Sequence, residues 1–163
     1  DEIRSRRAQF YDPYHAVLTE EIRRLKGEHP RVVLYDCHSI RSRIPRLFDG
    51  ELPVLNLGTN KGRSCDPALE RLLTDACRGS SFSSVVNGRF TGGAITRSFG
   101  KPGEGVHALQ MELACRGYMD EPAAIGEGNW PSPYDASRAQ ELKSFLLHVM
   151  VSVLAWAGTS NRT

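Results

Sequence analysis

Cysteine is scarce in this chain: Cys37, Cys65, Cys77 and Cys115 are the only four in 163 residues, and no two of them form a C-x-x-C pair. That argues against a disulfide-stapled scaffold and leads us to expect reduced thiols in a cytoplasmic protein. Long apolar runs are missing too. The best candidate, FLLHVMVSVLAWAG (145–158), is shorter than the roughly 20 residues that cross a bilayer and is interrupted by His148, so we expect a buried helix and no membrane. Charge of one sign is equally thin. The net charge is +2, and Lys and Arg are scattered apart from RSRR (4–7) and the spaced Arg41, Arg43 and Arg46. Nucleic acid therefore has no electrostatic footprint here, whereas a small anionic ligand remains compatible. No internal repeat is visible.

What is present is the composition of a globular domain, 40% hydrophobic and 25% charged. The length suits a single domain over 1–163 with a substantial core. The chain opens at Asp1, without methionine, in a charged segment that already reads as helical, so an upstream portion is expected. DPYHAVLTEEIRRLKG (12–27) predicts an amphipathic helix with Asp12 as N-cap, Pro13 in the first turn and Gly27 past the end. HPRVVLYD then changes to a continuous Val-rich run, the pattern of a strand buried on both faces. Helix followed by strand points to an α/β fold. Residues 40–65 predict a long irregular loop with room for a short strand, and DPALERLLTDACRG (66–79) a second capped helix. Strands are expected at 82–87, 92–99 and 105–114, and a long final helix over 132–158.

The groups capable of chemistry cluster after the first strand. In open α/β sheets ligands sit at the carboxyl ends of strands, and DCHS (36–39) stands at such an end. His38 can offer one ring nitrogen to a metal while Asp36 or a backbone carbonyl holds the other; a merely hydrogen-bonded histidine fits the same pattern. Cys37, pointing to the opposite face from His38, is expected to be a packed core thiol. Gln110 and Glu112 are two positions apart and so share a strand face. Glu112 lies among Leu109, Met111, Leu113 and Ala114, surroundings that raise a carboxyl's proton affinity and suit a general base, although an edge strand with Glu112 in solvent has the same pattern. NGRFTGGAITR (87–97) combines Asn87, paired glycines and Arg97, which could receive a carboxylate, or could simply form a hairpin turn. His15 and His107 have no assigned role, and His29 and His148 have ordinary explanations.

Read together, PYH (13–15), YDCHSIRSRIPRLFDGELPVLNLGTNKGRSCD (35–66), NGRFTGGAITRSFGKP (87–102), HALQMELACRGYMDE (107–121) and VLAW (153–156) closely resemble the N-formylglutamate amidohydrolase (deformylase) family. The resemblance runs over roughly 10–157. It implies a mixed sheet flanked by helices, similar to the zinc carboxypeptidase and aspartoacylase type of hydrolase fold. The implied reaction is hydrolysis of N-formyl-L-glutamate to formate and L-glutamate, a last step in histidine degradation. By the same resemblance His38 matches a zinc ligand and Glu112 the general base. Arg97, then Arg41, with Asn87 as helper, are the candidates to meet the substrate carboxylates. Such a zinc takes three protein ligands, and only His38 is identifiable, so the others are expected upstream of Asp1. An N-terminal part is then lacking, which would expose a sheet edge and favour homo-oligomers. A related N-acylamino-acid amidohydrolase, or a non-catalytic fragment binding a small carboxylate or a protein partner, are the alternative functions.

Overall fold

The computed structural model describes residues 1–158. The chain starts as helix well before Pro13. Asp1 caps α1 (Glu2–Arg6) through the Ile3 N–H, and a π-helical turn at Arg7–Tyr11 leads without a break into α2 (Asp12–Glu28). Asp12 is thus an interior residue paired with Arg7 at 3.0 Å and not the N-cap its Asp-Pro context suggests. No residue of α2 is buried, and its Tyr14 and Val17 are largely exposed.

Four strands form one mixed sheet in the order β1 (Val32–Ile40), β4 (Val106–Ala114), β2 (Leu55–Gly58), β3 (Ser84–Val86). β1 runs parallel to β4, β4 antiparallel to β2, and β2 parallel to β3. The centre of the sheet is β4, buried along nearly its whole length, as its continuous apolar composition requires. β1 is an edge strand. Its Val-rich start suggested burial on both faces, yet only Val32 is buried and Cys37 to Ser39 are exposed, because β4 covers one side alone.

One sheet face is greasy. Leu55, Leu57, Leu109 and Met111 meet Leu69, Leu73 and Cys77 of α3 (Pro67–Arg78) and Leu142, Val149 and Val153 of α5 (Ala136–Gly158). α3 begins where the sequence predicts it, with Asp66 accepting from the Ala68 N–H. α5 starts at Ala136, four residues later than expected. It is long and apolar enough to cross a membrane by length and composition. Here one side of it enters the core while Leu147, Val151 and Leu154 stay exposed, so the expected buried helix is buried on one face only.

The other sheet face carries α4 (Ala94–Phe99), with α2 beside it through a His15–Phe99 ring contact at 6.1 Å. The sequence predicts a strand over 92–99, and the structure corrects this to a helix. The β-branched pair Ile95–Thr96 favours a strand, but the paired glycines before it let the chain turn onto the sheet, where Thr96 is fully buried. Gly92 adopts φ +120°, a backbone conformation that suits glycine. Gly58 removes the other obstacle: a methyl group there would lie 2.7 Å from the Gly92 nitrogen, so only a bare backbone lets residues 91–93 rest on the end of β2.

Candidate active site

The register of β1 on β4 sets the site. Asp36 pairs with Gln110 and His38 with Glu112, and Glu112 pairs on its other side with Asn56. Laterally paired residues point to the same face of a sheet, so these five polar side chains share one surface. It is the face that carries α4, opposite the greasy core.

His38 Nε2 stands 2.9 Å from Asp36 Oδ2. A carboxylate on one ring nitrogen fixes tautomer and ring direction and leaves Nδ1 as the nitrogen not engaged by Asp36. The imidazole is about half exposed and Asp36 mostly covered. Glu112 is only 7% exposed, the one buried carboxylate among the described residues. Burial pushes its carboxyl above the usual range, the neighbouring His38 pulls it partly back, and Asp36 adds to the rise. Its hydrogen-bond partner is Gln110, whose Nε2 donates to Oε2 at 3.4 Å. Asn56, 1% exposed, donates to the backbone oxygens of Pro53 and Glu112, and its Oδ1 is a buried acceptor without a partner among the described residues.

The remaining candidates are placed separately. Arg97 lies on α4 over the same sheet face, its guanidinium donating to the Gly92 carbonyl at 2.8 Å. Arg41 follows the end of β1 and lines a cavity of about 330 Å³ in which Arg43, Arg116 and Arg138 are paired with Glu51 and Asp120; its guanidinium lies 5.6 Å from the Trp130 ring centroid. Asn87, at φ +52°, accepts from the Thr59 and Lys61 N–H groups and donates to Thr59 Oγ1, so its amide is engaged at both ends in bracing the 59–61 turn. His107 points to the opposite face, where it accepts from the Asp66 N–H and meets Trp156 edge-on; burial lowers its proton affinity. His15 stacks on Tyr11 at 3.8 Å. Cys37, expected in the core, is exposed, because the sheet face opposite His38 is uncovered at the end of the edge strand.

Among the described residues no group of three or more His, Cys, Asp or Glu side chains is arranged to hold a metal ion. One imidazole backed by a carboxylate fits part of a zinc set, short of the three ligands a catalytic ion takes. Sequence reasoning left Gln110 and Asn56 without roles. Gln110 was legible through its two-residue spacing from Glu112; Asn56 was hidden, since only the β2–β4 register places it there.

The chain resembles known proteins over most of its length. The family model for N-formylglutamate amidohydrolase matches residues 1–119. An N-formylglutamate deformylase of Pseudomonas aeruginosa is 47% identical over 150 residues, covering 91% of this chain and 54% of that protein. One from Pseudomonas putida is 44% identical over 149 residues, covering 91% and 53%. The crystal structure of an N-formylglutamate amidohydrolase from Ralstonia eutropha JMP134 shares the fold, with a TM-score of 0.74, 23% identity, and coverage of 97% of this chain and 55% of that one. The chain thus spans about half the length of the curated relatives it matches. With 91% of its residues aligned at that identity, it belongs to the N-formylglutamate amidohydrolase family.

Proposed function

We propose that this chain carries the proton-transfer residue and one metal ligand of a zinc-dependent deformylase that hydrolyses N-formyl-L-glutamate to formate and L-glutamate. Its names come from the relatives; what supports the reading in this molecule is one observation, the side-by-side placement of His38 and Glu112 on a polar sheet face. The likeness to a zinc carboxypeptidase type of fold and a place in histidine degradation belong to the same proposal.

His38 would hold zinc through one ring nitrogen with Asp36 steadying the other, and further ligands would come from outside these 163 residues. When bound, the ion supplies Lewis-acid polarisation of the formyl carbonyl and acidifies water. Glu112, buried and with raised proton affinity, takes the proton of the attacking water and passes it to the amide nitrogen as the C–N bond breaks. The water oxygen ends in formate, the proton on the glutamate amine. Arg97, over the same face, is the first candidate for a substrate carboxylate, and Arg41, with no carboxylate on its guanidinium among the described residues, the second.

The test is formate release from N-formylglutamate by this chain with added zinc and by a chain of the relatives' full length, each with and without chelator. Release by the longer chain that the chelator stops is the expected result. Release by neither, or release that survives metal removal, overturns the proposal.

A further inference from the structure

A buried carboxyl is useful as a proton carrier only if it is held in place, and among the described residues Glu112 has one side-chain hydrogen bond to hold it. That bond comes from Gln110. A glutamine amide has two ends of opposite polarity, and which end faces which neighbour is set by whichever contact has a fixed role. Here the fixed contact is on the far side. The Gly93 N–H, a donor only, reaches Gln110 Oε1 at 2.8 Å, which makes that end of the amide the oxygen. The Nε2 group must then face Glu112, where it donates to the carboxyl.

The Gly93 N–H is itself pinned. Residues 91–93 lie against the sheet because Gly58, the register partner of Gln110 on β2, has no side chain. Gly93 is the N-cap of α4, and Arg97 sits on that helix one turn further on. Gln110 is 5% exposed, so water does not compete for either of its bonds. His38 and Asp36 from β1 also face Glu112, and both are more open than Gln110.

We propose that Gln110 is a positioning residue, a two-ended strut that aims the Glu112 carboxyl and ties it to the helix carrying Arg97. The inference rests on Glu112 being the proton carrier for its consequence in catalysis, while the strut itself is a statement about structure. It couples the element that moves the proton to the element that meets the substrate carboxylate, so that both keep one geometry.

Two variants separate the ends. Gln110→Glu keeps an oxygen for the Gly93 N–H and turns an oxygen toward Glu112; Gln110→Met fills the space and removes both bonds. On the isotope-labelled 163-residue chain, NMR should show the Gly93 amide proton shifted downfield in the unsubstituted protein, kept so in Gln110→Glu and moved upfield in Gln110→Met. The Glu112 side-chain carboxyl carbon should shift in both. Where a variant does not fold, Glu112→Gln gives the reverse reading by moving the Gln110 side-chain amide signals of an otherwise intact spectrum. A Glu112 carboxyl signal unmoved by a folded Gln110→Met, or Gln110 amide signals unmoved by Glu112→Gln, overturns the strut. In whichever form releases formate, Gln110→Met should lower kcat by about tenfold or more with KM changed by less than about threefold, the signature of an interaction made in the transition state. The strut confirmed by NMR with no formate released by any form would sink the proposed function and leave the strut standing.

Discussion

His38 and Glu112 are register partners: β1 and β4 run parallel, and the pairing that starts at Val32 with Val106 brings the imidazole beside the carboxyl six residues further along both strands. Every residue of β1 from Val32 to Ile40 is locked to that register by β4, so the two groups cannot slide apart without breaking the ladder. A one-residue slip would send His38 to the greasy face. The site is therefore as rigid as the sheet beneath it.

Asp36 should matter for metal through His38 and not by itself. In a chain of the relatives' full length, where the proposed zinc set would be complete, replacing His38 with Ala should abolish zinc binding at this face. Asp36→Asn, which keeps the shape but removes the carboxylate charge beside Nε2, should weaken it by about 10–100-fold. Titration of each variant with zinc against a competing chelator measures both. Equal affinity in Asp36→Asn and the unsubstituted chain would remove Asp36 from the site.

Glu112→Gln should separate function from stability. With the proposed general base gone, kcat in an active form should fall by about 10²–10⁴. Stability should move the other way with pH. The folded-state pKa of Glu112 is raised by burial, so the folded chain binds this proton more tightly than the unfolded chain. That contribution is complete below the ordinary carboxyl value of 4.5 and is lost as pH rises through the higher folded value. The Gln variant lacks this loss. Urea denaturation of both proteins across this range should show Glu112→Gln gaining on the unsubstituted chain as pH increases toward neutrality, His38 and Asp36 being unchanged in both.

The sequence exposed α3 and the strand status of β4 through a cap and bracketing glycines, because those signals are local: Asp66 caps α3 where it stands, and Gly105, at φ +75°, turns the chain into β4. His38 and Glu112 were legible one at a time, His38 from a strand end and Glu112 from its apolar neighbours. Their adjacency was not, since register is a property of two distant segments. The same limit explains the errors. Whether a Val-rich strand is central or at the edge depends on its neighbours, so β1 and Cys37 read as buried. The 92–99 segment has strand propensity, and its seat on Gln110 and Gly58 decides otherwise.

Asn87 tests the difference between bracing and binding. Asn87→Ala removes three hydrogen bonds to the 59–61 turn and places a residue other than glycine or asparagine at φ +52°. Stability should drop by on the order of 1–3 kcal/mol, while KM in an active form stays within about twofold. A large rise in KM with unchanged stability would instead make Asn87 a direct substrate contact.

The thiols should divide one against three. Cys65, Cys77 and Cys115 are buried, and burial pushes the first two up to about 12 and about 11. Cys37 is exposed, although its proton is also held more tightly than usual, by partial burial first and by Asp36 second. An aromatic disulfide reagent at mildly alkaline pH should label a single thiol in the native chain, slowly, and all four after denaturation. Cys37→Ser should abolish the native reaction.

Gly58→Ala asks how tightly the polar face is built. The added methyl would lie 2.7 Å from the Gly92 nitrogen and 2.8 Å from the Thr91 carbonyl carbon. Both are backbone atoms, which cannot swing aside as a flexible side chain can, so residues 91–93 must lift from the sheet. Lifting them draws the Gly93 N–H away from Gln110 and carries α4, with Arg97, outward. The expected cost is about 1–3 kcal/mol, the usual penalty for overpacking a filled site. Gly126→Ala, where nothing lies within 4 Å, is the matched control and should be near neutral. Thermal denaturation gives the stability difference, and amide exchange at Gly93 shows where it originates: protection should fall in Gly58→Ala and hold in Gly126→Ala. Equal stability and equal Gly93 protection in the two variants would mean that the loop is not seated on β2, and that the position of α4 does not depend on Gly58.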